Sequence, residues 1–185
     1  MKNKAFLIAV MFAVGFFMVN AQPVSKGDKI FNASLGLGST LYSGSFYKGQ
    51  IPPVSASLEY LVMDDLIDGN GAVGLGGYIG FSSYKWEYQG WGWKYTNIIL
   101  GPRGTFHYNF IENLDTYTGL LIGYNVVTSK EFGNSVPGYN YSASSGGLIW
   151  AWYAGGRYFF SDKLAGLVEL GYGIAYLNIG IALKL

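Results

Sequence analysis

The sequence predicts an all-β fold, an eight-stranded antiparallel up-and-down barrel that spans a membrane and follows a cleaved signal peptide. Three observations support this prediction. Apolar side chains recur at every second position along most of the chain, which is the period of a β-strand. Charged residues make up only 12% of the 185 residues, and the chain contains 28 glycines. Within the alternating runs, the few charges all fall on the face opposite the aliphatic side chains.

The first 21 residues are predicted to be the signal peptide, and residues 22–185 the barrel. Lys2 and Lys4 form a positive start, residues 5–19 are apolar, and Ala21 offers a small residue for cleavage. The apolar run is shorter than the roughly 20 residues that a membrane-spanning helix needs, so a retained helix is the weaker interpretation. No later stretch is apolar for that length, and any crossing of a membrane is therefore left to strands.

Eight alternating runs follow the signal peptide. They cover residues 31–38, 54–62, 73–82, 97–108, 119–126, 150–160, 167–173 and 176–185. The sixth and seventh runs are apolar on both faces, so their inner face is assigned from Arg157 and Glu169. Short acidic connections alternate with longer ones, which is the layout of outer-membrane barrels with short periplasmic turns and long outer loops. Both termini are therefore predicted to be periplasmic.

A soluble eight-stranded barrel would show the same alternation, and the two are separated by the face that meets water. The polar face of the eight runs carries five charged residues, namely Glu59, Arg103, Arg157, Glu169 and Lys184. Five charges are too few for a solvated surface but fit a narrow lumen, where small side chains leave room for a few large ones. The apolar face carries no charge, as a lipid-facing surface requires.

Aromatic side chains collect near both ends of the runs and are predicted to form two membrane-interface belts. One set lies at the loop ends and comprises Tyr42, Phe46, Tyr47, Trp86, Tyr88, Trp91, Trp93, Tyr95, Trp150 and Trp152. The other set lies at the turn ends and comprises Tyr60, Phe106, Tyr108, Phe110, Tyr158, Phe159 and Phe160.

In this pattern the chain resembles the small outer-membrane β-barrels typified by OmpA and OmpX, including the opacity-protein-like barrels. The resemblance is most specific in residues 169–173 (ELGYG) and in residues 177–180 (LNIG), which lead into a final alternating strand. Such families usually end in an aromatic residue, whereas this chain ends in Leu185. The resemblance implies an integral protein of the cell outer membrane, in contact with lipid and lipopolysaccharide and inserted by the outer-membrane assembly machinery.

Four of the inner charges, Glu59, Arg103, Arg157 and Glu169, are predicted to form a charge network that fills the lumen, since buried charges are normally paired. Arg157 and Glu169 lie two positions off the register centred on Asp162, which makes them diagonal neighbours on one face. The alternative interpretation is a gate or an ion path.

Catalytic chemistry finds little support in the sequence. His107 is the single histidine, lies beside a short turn and has no nucleophile nearby, and the chain contains no cysteine. Asp64 and Asp65 are interpreted as solvated turn residues. We therefore predict no enzyme activity, no metal site and no cofactor, and a net charge of +1 predicts no binding of nucleic acid.

The predicted loop between the third and fourth runs carries an aromatic cluster formed by Trp86, Tyr88, Trp91 and Trp93. Exposed aromatic surfaces of this kind bind sugars or partner proteins, so an extracellular glycan or protein ligand is the corresponding hypothesis. The sequence thus predicts a structural, adhesive or surface-interaction barrel with a filled lumen. The alternative is a narrow porin-like channel for ions or small solutes.

Overall fold

The computed structural model describes residues 24–41, 46–67, 69–133 and 142–185, and the predicted signal peptide lies outside these ranges. The strands are β1 (Lys29–Leu37), β2 (Tyr47–Leu66), β3 (Gly71–Tyr88), β4 (Trp91–Ile111), β5 (Leu114–Phe132), β6 (Ser142–Phe159), β7 (Leu164–Gly171) and β8 (Leu177–Lys184). In this described part of the chain, no helix has the length and hydrophobicity to cross a membrane.

The eight strands form one closed barrel in chain order. Each strand pairs antiparallel with the next, and β8 returns to pair with β1 through residues such as Ile181 opposite Ala33. The predicted all-β, eight-stranded, up-and-down fold is confirmed. Closure pairs the backbone of every strand with two neighbours, which leaves no free sheet edge.

The outer face of the barrel is aliphatic and the inner face is polar. Ile122 is 64% exposed and Leu120 is 55% exposed, whereas Arg157 is fully buried and Glu59 is 1% exposed. Exposed aliphatic residues and buried charges are the reverse of a soluble protein and match the predicted orientation.

The inner faces of β6 and β7 are also as predicted. Trp152 points outward while Arg157 and Glu169 are buried, and Arg157 lies opposite Leu167 across a turn centred on Asp162. Because strand side chains alternate, a shift of one residue would have exchanged these two faces.

Glycines on the inner face make room for the large lumen side chains. A Cβ atom at Gly74 would lie 2.6 Å from Oε1 of Glu59, and one at Gly119 would lie 2.4 Å from the Tyr153 hydroxyl. Both distances are too short for a side chain larger than hydrogen at the glycine position. The high glycine content therefore reflects a narrow barrel that holds a few large polar groups.

The strands at the loop end are longer than predicted. β3 and β4 continue through the segment that the sequence analysis assigns to a loop, and only Gln89 and Gly90 join them. Both residues have positive φ, 49° and 84°, as a two-residue hairpin turn requires. Trp86 lies opposite Trp93 in this extension, so the pairing of aromatic residues continues the ladder beyond a membrane-spanning length of about 9–11 residues.

One part of the predicted aromatic belts is wrong. Trp86, Trp93 and Tyr95 lie on the same face as the buried Asn97, which is the inner face and not the lipid-facing one. Phe159 at the other end is also buried inside the barrel. Those belt members were assigned by their nearness to strand ends, whereas the alternation of side chains decides which face they occupy. Residues that do point outward are exposed near the ends of the strands, as in Tyr60, Phe110, Trp150, Tyr158 and Phe160, and Tyr42 lies outside the described residues.

Candidate functional site: the charged lumen and the aromatic cluster

Arg157 holds two carboxylates from opposite parts of the barrel wall. Its Nη2 atom lies 2.7 Å from Oε2 of Glu59 on β2, and its Nη1 atom lies 2.9 Å from Oδ2 of Asp115 on β5. All three residues are at most 1% exposed. The guanidinium group therefore crosses the lumen and ties three strands together through charge-assisted hydrogen bonds.

His107 on β4 completes this arrangement. Its Nδ1 atom lies 2.8 Å from Oδ1 of Asp115, and its Nε2 atom lies 3.2 Å from Oε1 of Glu59. Each carboxylate thus faces both Arg157 and the imidazole ring. We call Arg157, Glu59, Asp115 and His107 the Arg157 cluster.

A second group of buried polar side chains surrounds Arg103. Its Nη2 atom lies 2.8 Å from Oε2 of Glu169, and its Nε atom donates to the Tyr153 hydroxyl at 3.0 Å. The Tyr117 hydroxyl donates to the same Glu169 oxygen at 3.0 Å. We call Arg103, Glu169, Tyr117 and Tyr153 the Arg103 cluster.

The ring of Tyr117 joins the two clusters. The guanidinium carbon of Arg157 lies 4.4 Å from the centre of this ring, and the guanidinium carbon of Arg103 lies 3.9 Å from the ring of Tyr153. Cations over aromatic faces are stabilised by the ring quadrupole, most strongly where water is excluded. The lumen thus contains one continuous polar network.

The structure places Glu59, Arg103, Arg157 and Glu169 inside the barrel, with pairings that differ from the register argument. Arg157 and Glu169 are diagonal neighbours, but Arg157 binds Glu59 and Asp115 while Glu169 binds Arg103. Asp115 lies directly opposite Arg157 on the neighbouring strand β5, whereas the pairs with Glu59 and Glu169 join strands that are not neighbours. Strand adjacency therefore accounts for only one of these three ion pairs.

Sequence reasoning missed Asp115 and His107 as members of the network. Asp115 lies between the fourth and fifth predicted runs and His107 beside a predicted turn, yet both side chains are fully buried. The signal that could have found Asp115 is its parity, because it precedes Tyr117 and Gly119 on the inner face of β5.

The network leaves little room for solute or catalysis. A cavity of about 20 Å³ remains beside Arg103, Tyr153 and Ile174, which is enough for about one water molecule. His107 is fully buried and both of its ring nitrogens face carboxylates, so it cannot reach a substrate. Within the described ranges, no three His, Asp or Glu side chains are placed to hold a metal ion.

The aromatic cluster lies at the far end of the β3–β4 hairpin. The rings of Trp86 and Trp91 are 5.9 Å apart at 90°, and those of Trp91 and Trp93 are 6.5 Å apart at 79°. The indole Nε1 of Trp91 donates to Oε1 of Glu131 at 2.5 Å. Tyr88, the fourth predicted member, lies opposite Trp91 in the β3–β4 ladder, and its ring packs at 6.1 Å against Phe46.

A closed barrel of eight antiparallel strands, an uncharged apolar band around its outer face and a lumen of paired charges define a transmembrane β-barrel of the small outer-membrane type.

No family model matches the chain, and no curated protein matches it in sequence. Among solved structures, it is similar to Ail, the attachment invasion locus protein of Yersinia pestis, in complex with the heparin analogue sucrose octasulfate. That likeness has a TM-score of 0.48 and 13% identity over 86% of this chain and 95% of that one. The N-terminal β-barrel domain of Pseudomonas aeruginosa OprF gives a TM-score of 0.42 and 12% identity over 87% and 98% of the two chains.

Proposed function

We propose that this protein is a non-enzymatic barrel of a bacterial outer membrane that acts as a structural, adhesive or surface-interaction protein. The observation that carries the proposal is a lumen closed by the Arg157 and Arg103 clusters, beneath a hairpin that presents aromatic rings beyond the lipid-facing band. In this proposal the outer-membrane assembly machinery inserts the barrel, and its outer face contacts lipid and lipopolysaccharide.

The closed lumen favours a scaffold over the alternative of a narrow channel. An eight-stranded barrel is just wide enough for its own side chains. Here Arg157 spans between β2 and β5, and Arg103 reaches Glu169 on β7, so the lumen is bridged by two separate ion-pair groups. A channel would require both groups to separate and leave buried charges unpaired, which is costly.

A planar bilayer experiment distinguishes the scaffold from the channel. We expect the purified wild-type protein to produce no steady conductance steps, because the paired side chains fill the lumen. A porin of larger diameter, reconstituted in the same way, serves as the positive control. Steady ion steps from the purified barrel would overturn the scaffold proposal in favour of the channel.

The proposed orientation places both termini in the periplasm and the β3–β4 hairpin outside the cell. At the end of the barrel that carries both termini the connections are short, as with Glu112 and Asn113 between β4 and β5. The opposite end carries the extended hairpin. Short periplasmic turns and longer outer segments are the usual arrangement of such barrels.

Single cysteine variants test this orientation, since the chain has no native cysteine. Gln89→Cys and Asp65→Cys lie at opposite ends of the barrel, and both positions are exposed. We expect a membrane-impermeant thiol reagent to label Gln89→Cys on intact cells and to label Asp65→Cys only after lysis. Labelling of Asp65→Cys alone on intact cells would show the reverse orientation.

The aromatic cluster is the proposed binding surface for an extracellular glycan or protein. Trp86, Trp91 and Trp93 pack edge to face, so their rings are held before a ligand arrives. Aromatic rings that are already ordered lose little conformational entropy on binding. The inner-face position also keeps these rings away from the lipid tails.

Removal of two tryptophans should weaken ligand binding. For the double variant Trp91→Ala with Trp93→Ala, we expect about tenfold weaker binding on a glycan array or in a partner pull-down, since each aromatic contact contributes about 0.5–1.5 kcal/mol. Trp152→Ala is the matched control, because Trp152 lies on the outer face of β6. Equal binding by the double variant and the control would remove the aromatic cluster as a binding surface.

A further inference from the structure

Four lysines occupy one cross-strand row at the loop end of the barrel. Lys48 lies opposite Lys85, Lys85 opposite Lys94, and Lys94 opposite Lys130, on the neighbouring strands β2 to β5. We call these four residues the lysine row. With neighbouring strands about 4.8 Å apart, the row is roughly 14 Å long. Like charges directly opposite each other destabilise a sheet, so this placement needs an opposing anion.

The protein itself supplies one such anion. Nζ of Lys85 lies 2.7 Å from Oε2 of Glu87 and 4.0 Å from the centre of the Phe132 ring. Lys48, Lys94 and Lys130 are exposed, and none of them forms an ion pair with another residue in the described part of the chain. The row therefore carries about three uncompensated positive charges on a short stretch of surface.

The lysine row lies on the outer face, directly beyond the lipid-facing band. The last aliphatic row of that face runs through Phe81, Ile98 and Val126. The next outward row is hydroxylic and runs through Ser83, Thr96, Thr128 and Ser144. The lysine row follows two residues further along each strand toward the loop end, a distance of about 6.6 Å.

This order of aliphatic, hydroxyl and ammonium groups matches the order of acyl chain, sugar and phosphate in a glycolipid leaflet. The aromatic cluster lies on the opposite face of the same hairpin, because Trp86 and Trp93 have the opposite parity to Lys85 and Lys94. The lysine row and the aromatic cluster therefore meet different neighbours.

We propose that the lysine row binds the phosphate groups of lipopolysaccharide headgroups in the surrounding leaflet. This proposal rests on the proposed outward orientation of the hairpin. Lysine binds phosphate as a point charge, and phosphate monoesters carry close to two negative charges. The neighbouring Thr96 and Thr128 hydroxyls supply donors and acceptors for sugar oxygens.

A lipid source is favoured over a soluble polyanion by the direction in which the lysines point. They share the outward face of Phe81 and Ile98, whose neighbours are acyl chains. Headgroups of those same lipids therefore lie beside the row at high local concentration. Anionic headgroups attract basic residues at a membrane surface in this way.

The test compares two charge-matched triple variants of the purified barrel in detergent. The row variant is Lys48→Gln, Lys94→Gln and Lys130→Gln, and the control is Lys26→Gln, Lys29→Gln and Lys163→Gln at the opposite end. The probes are lipid A, lipid A without its phosphates, and inorganic tripolyphosphate. We expect the row variant to bind lipid A about 10- to 100-fold more weakly than wild type, with the control unchanged. Wild type should bind dephosphorylated lipid A as weakly as the row variant binds lipid A.

Several outcomes would overturn the proposal. Equal binding of lipid A by the row variant and by wild type would show that the lysines do not form the binding site. Equal binding of lipid A and dephosphorylated lipid A by wild type would show that the phosphates are not recognised. Tighter binding of tripolyphosphate than of lipid A would assign the row to a soluble polyanion. Heat-dependent gel migration first shows whether each triple variant folds. If the row variant does not fold, Lys94→Gln alone takes its place. Because binding in detergent does not depend on orientation, the cysteine labelling described above separates failure of the lysine row from failure of the proposed function.

Discussion

Replacement of Arg157 by methionine is expected to lower the free energy of unfolding of the barrel by about 3–5 kcal/mol. The substitution removes the cation that lies 2.7 Å from Glu59 and 2.9 Å from Asp115, and both carboxylates are buried. His107 remains as their only shared partner. The cost arises because a buried charge without its partner has lost its hydration and gained nothing in return.

Urea titration of the barrel refolded in lipid vesicles measures this change, with tryptophan fluorescence and heat-dependent gel migration as the two readouts. Lys163→Met is the matched control, since Lys163 is exposed in the turn between β6 and β7. The triple variant Arg157→Met, Glu59→Gln and Asp115→Asn removes the carboxylate charges as well and should recover part of the loss. Equal stability of Arg157→Met and Lys163→Met would show that the cluster does not stabilise the barrel.

The sequence was sufficient for the strand number, the closure and the two faces. A period of two assigns every residue of a strand to one face, and a single inner charge such as Arg157 or Glu169 fixes that choice for a whole strand. This is why β6 and β7 were placed correctly although both of their faces are apolar. The alternation of side chains along each strand was therefore enough to predict most of the fold.

The partners inside the lumen could not be predicted in the same way. Which side chains meet across a barrel depends on the tilt and stagger of its strands, and local alternation does not specify either. Glu59 and Arg157 are 98 positions apart in the chain and lie on strands that are not neighbours. The register of β6 with β7 therefore gave the right neighbours for Arg157 but not its ionic partners.

The loop-end hairpin was missed because its polarity is inverted relative to the membrane band. In the band, apolar residues such as Phe81 and Ile98 point outward, whereas in the hairpin Lys85 and Lys94 point outward and the tryptophans inward. A strand in water buries its apolar face toward its own fold, and a strand in lipid exposes it. The outward-facing side chains change from apolar at Phe81 to charged at Lys85, and this change marks the edge of the lipid-facing band.

Replacement of Ile122 by arginine is expected to cost about 2–4 kcal/mol of folding free energy in a lipid bilayer. Ile122 is 64% exposed on the outer face of β5 and lies near the middle of its aliphatic stretch, between Leu120 and Val126. An arginine at this depth must lose its hydration or draw water and headgroups toward the bilayer centre. The same change in an aqueous barrel would place a charge in water at almost no cost.

Thr128→Arg is the control for this substitution, because Thr128 points outward from the same strand but lies in the hydroxyl row at the edge of the band. Near the interface the expected cost is only about 0–1 kcal/mol. Urea titrations of both variants in phosphatidylcholine vesicles measure the difference directly. A large cost at Ile122 with a small one at Thr128 requires a surrounding that becomes less polar toward the middle of the barrel, which only a bilayer provides. Equal and small costs at both positions would mean that water surrounds the barrel, and the membrane assignment would fail.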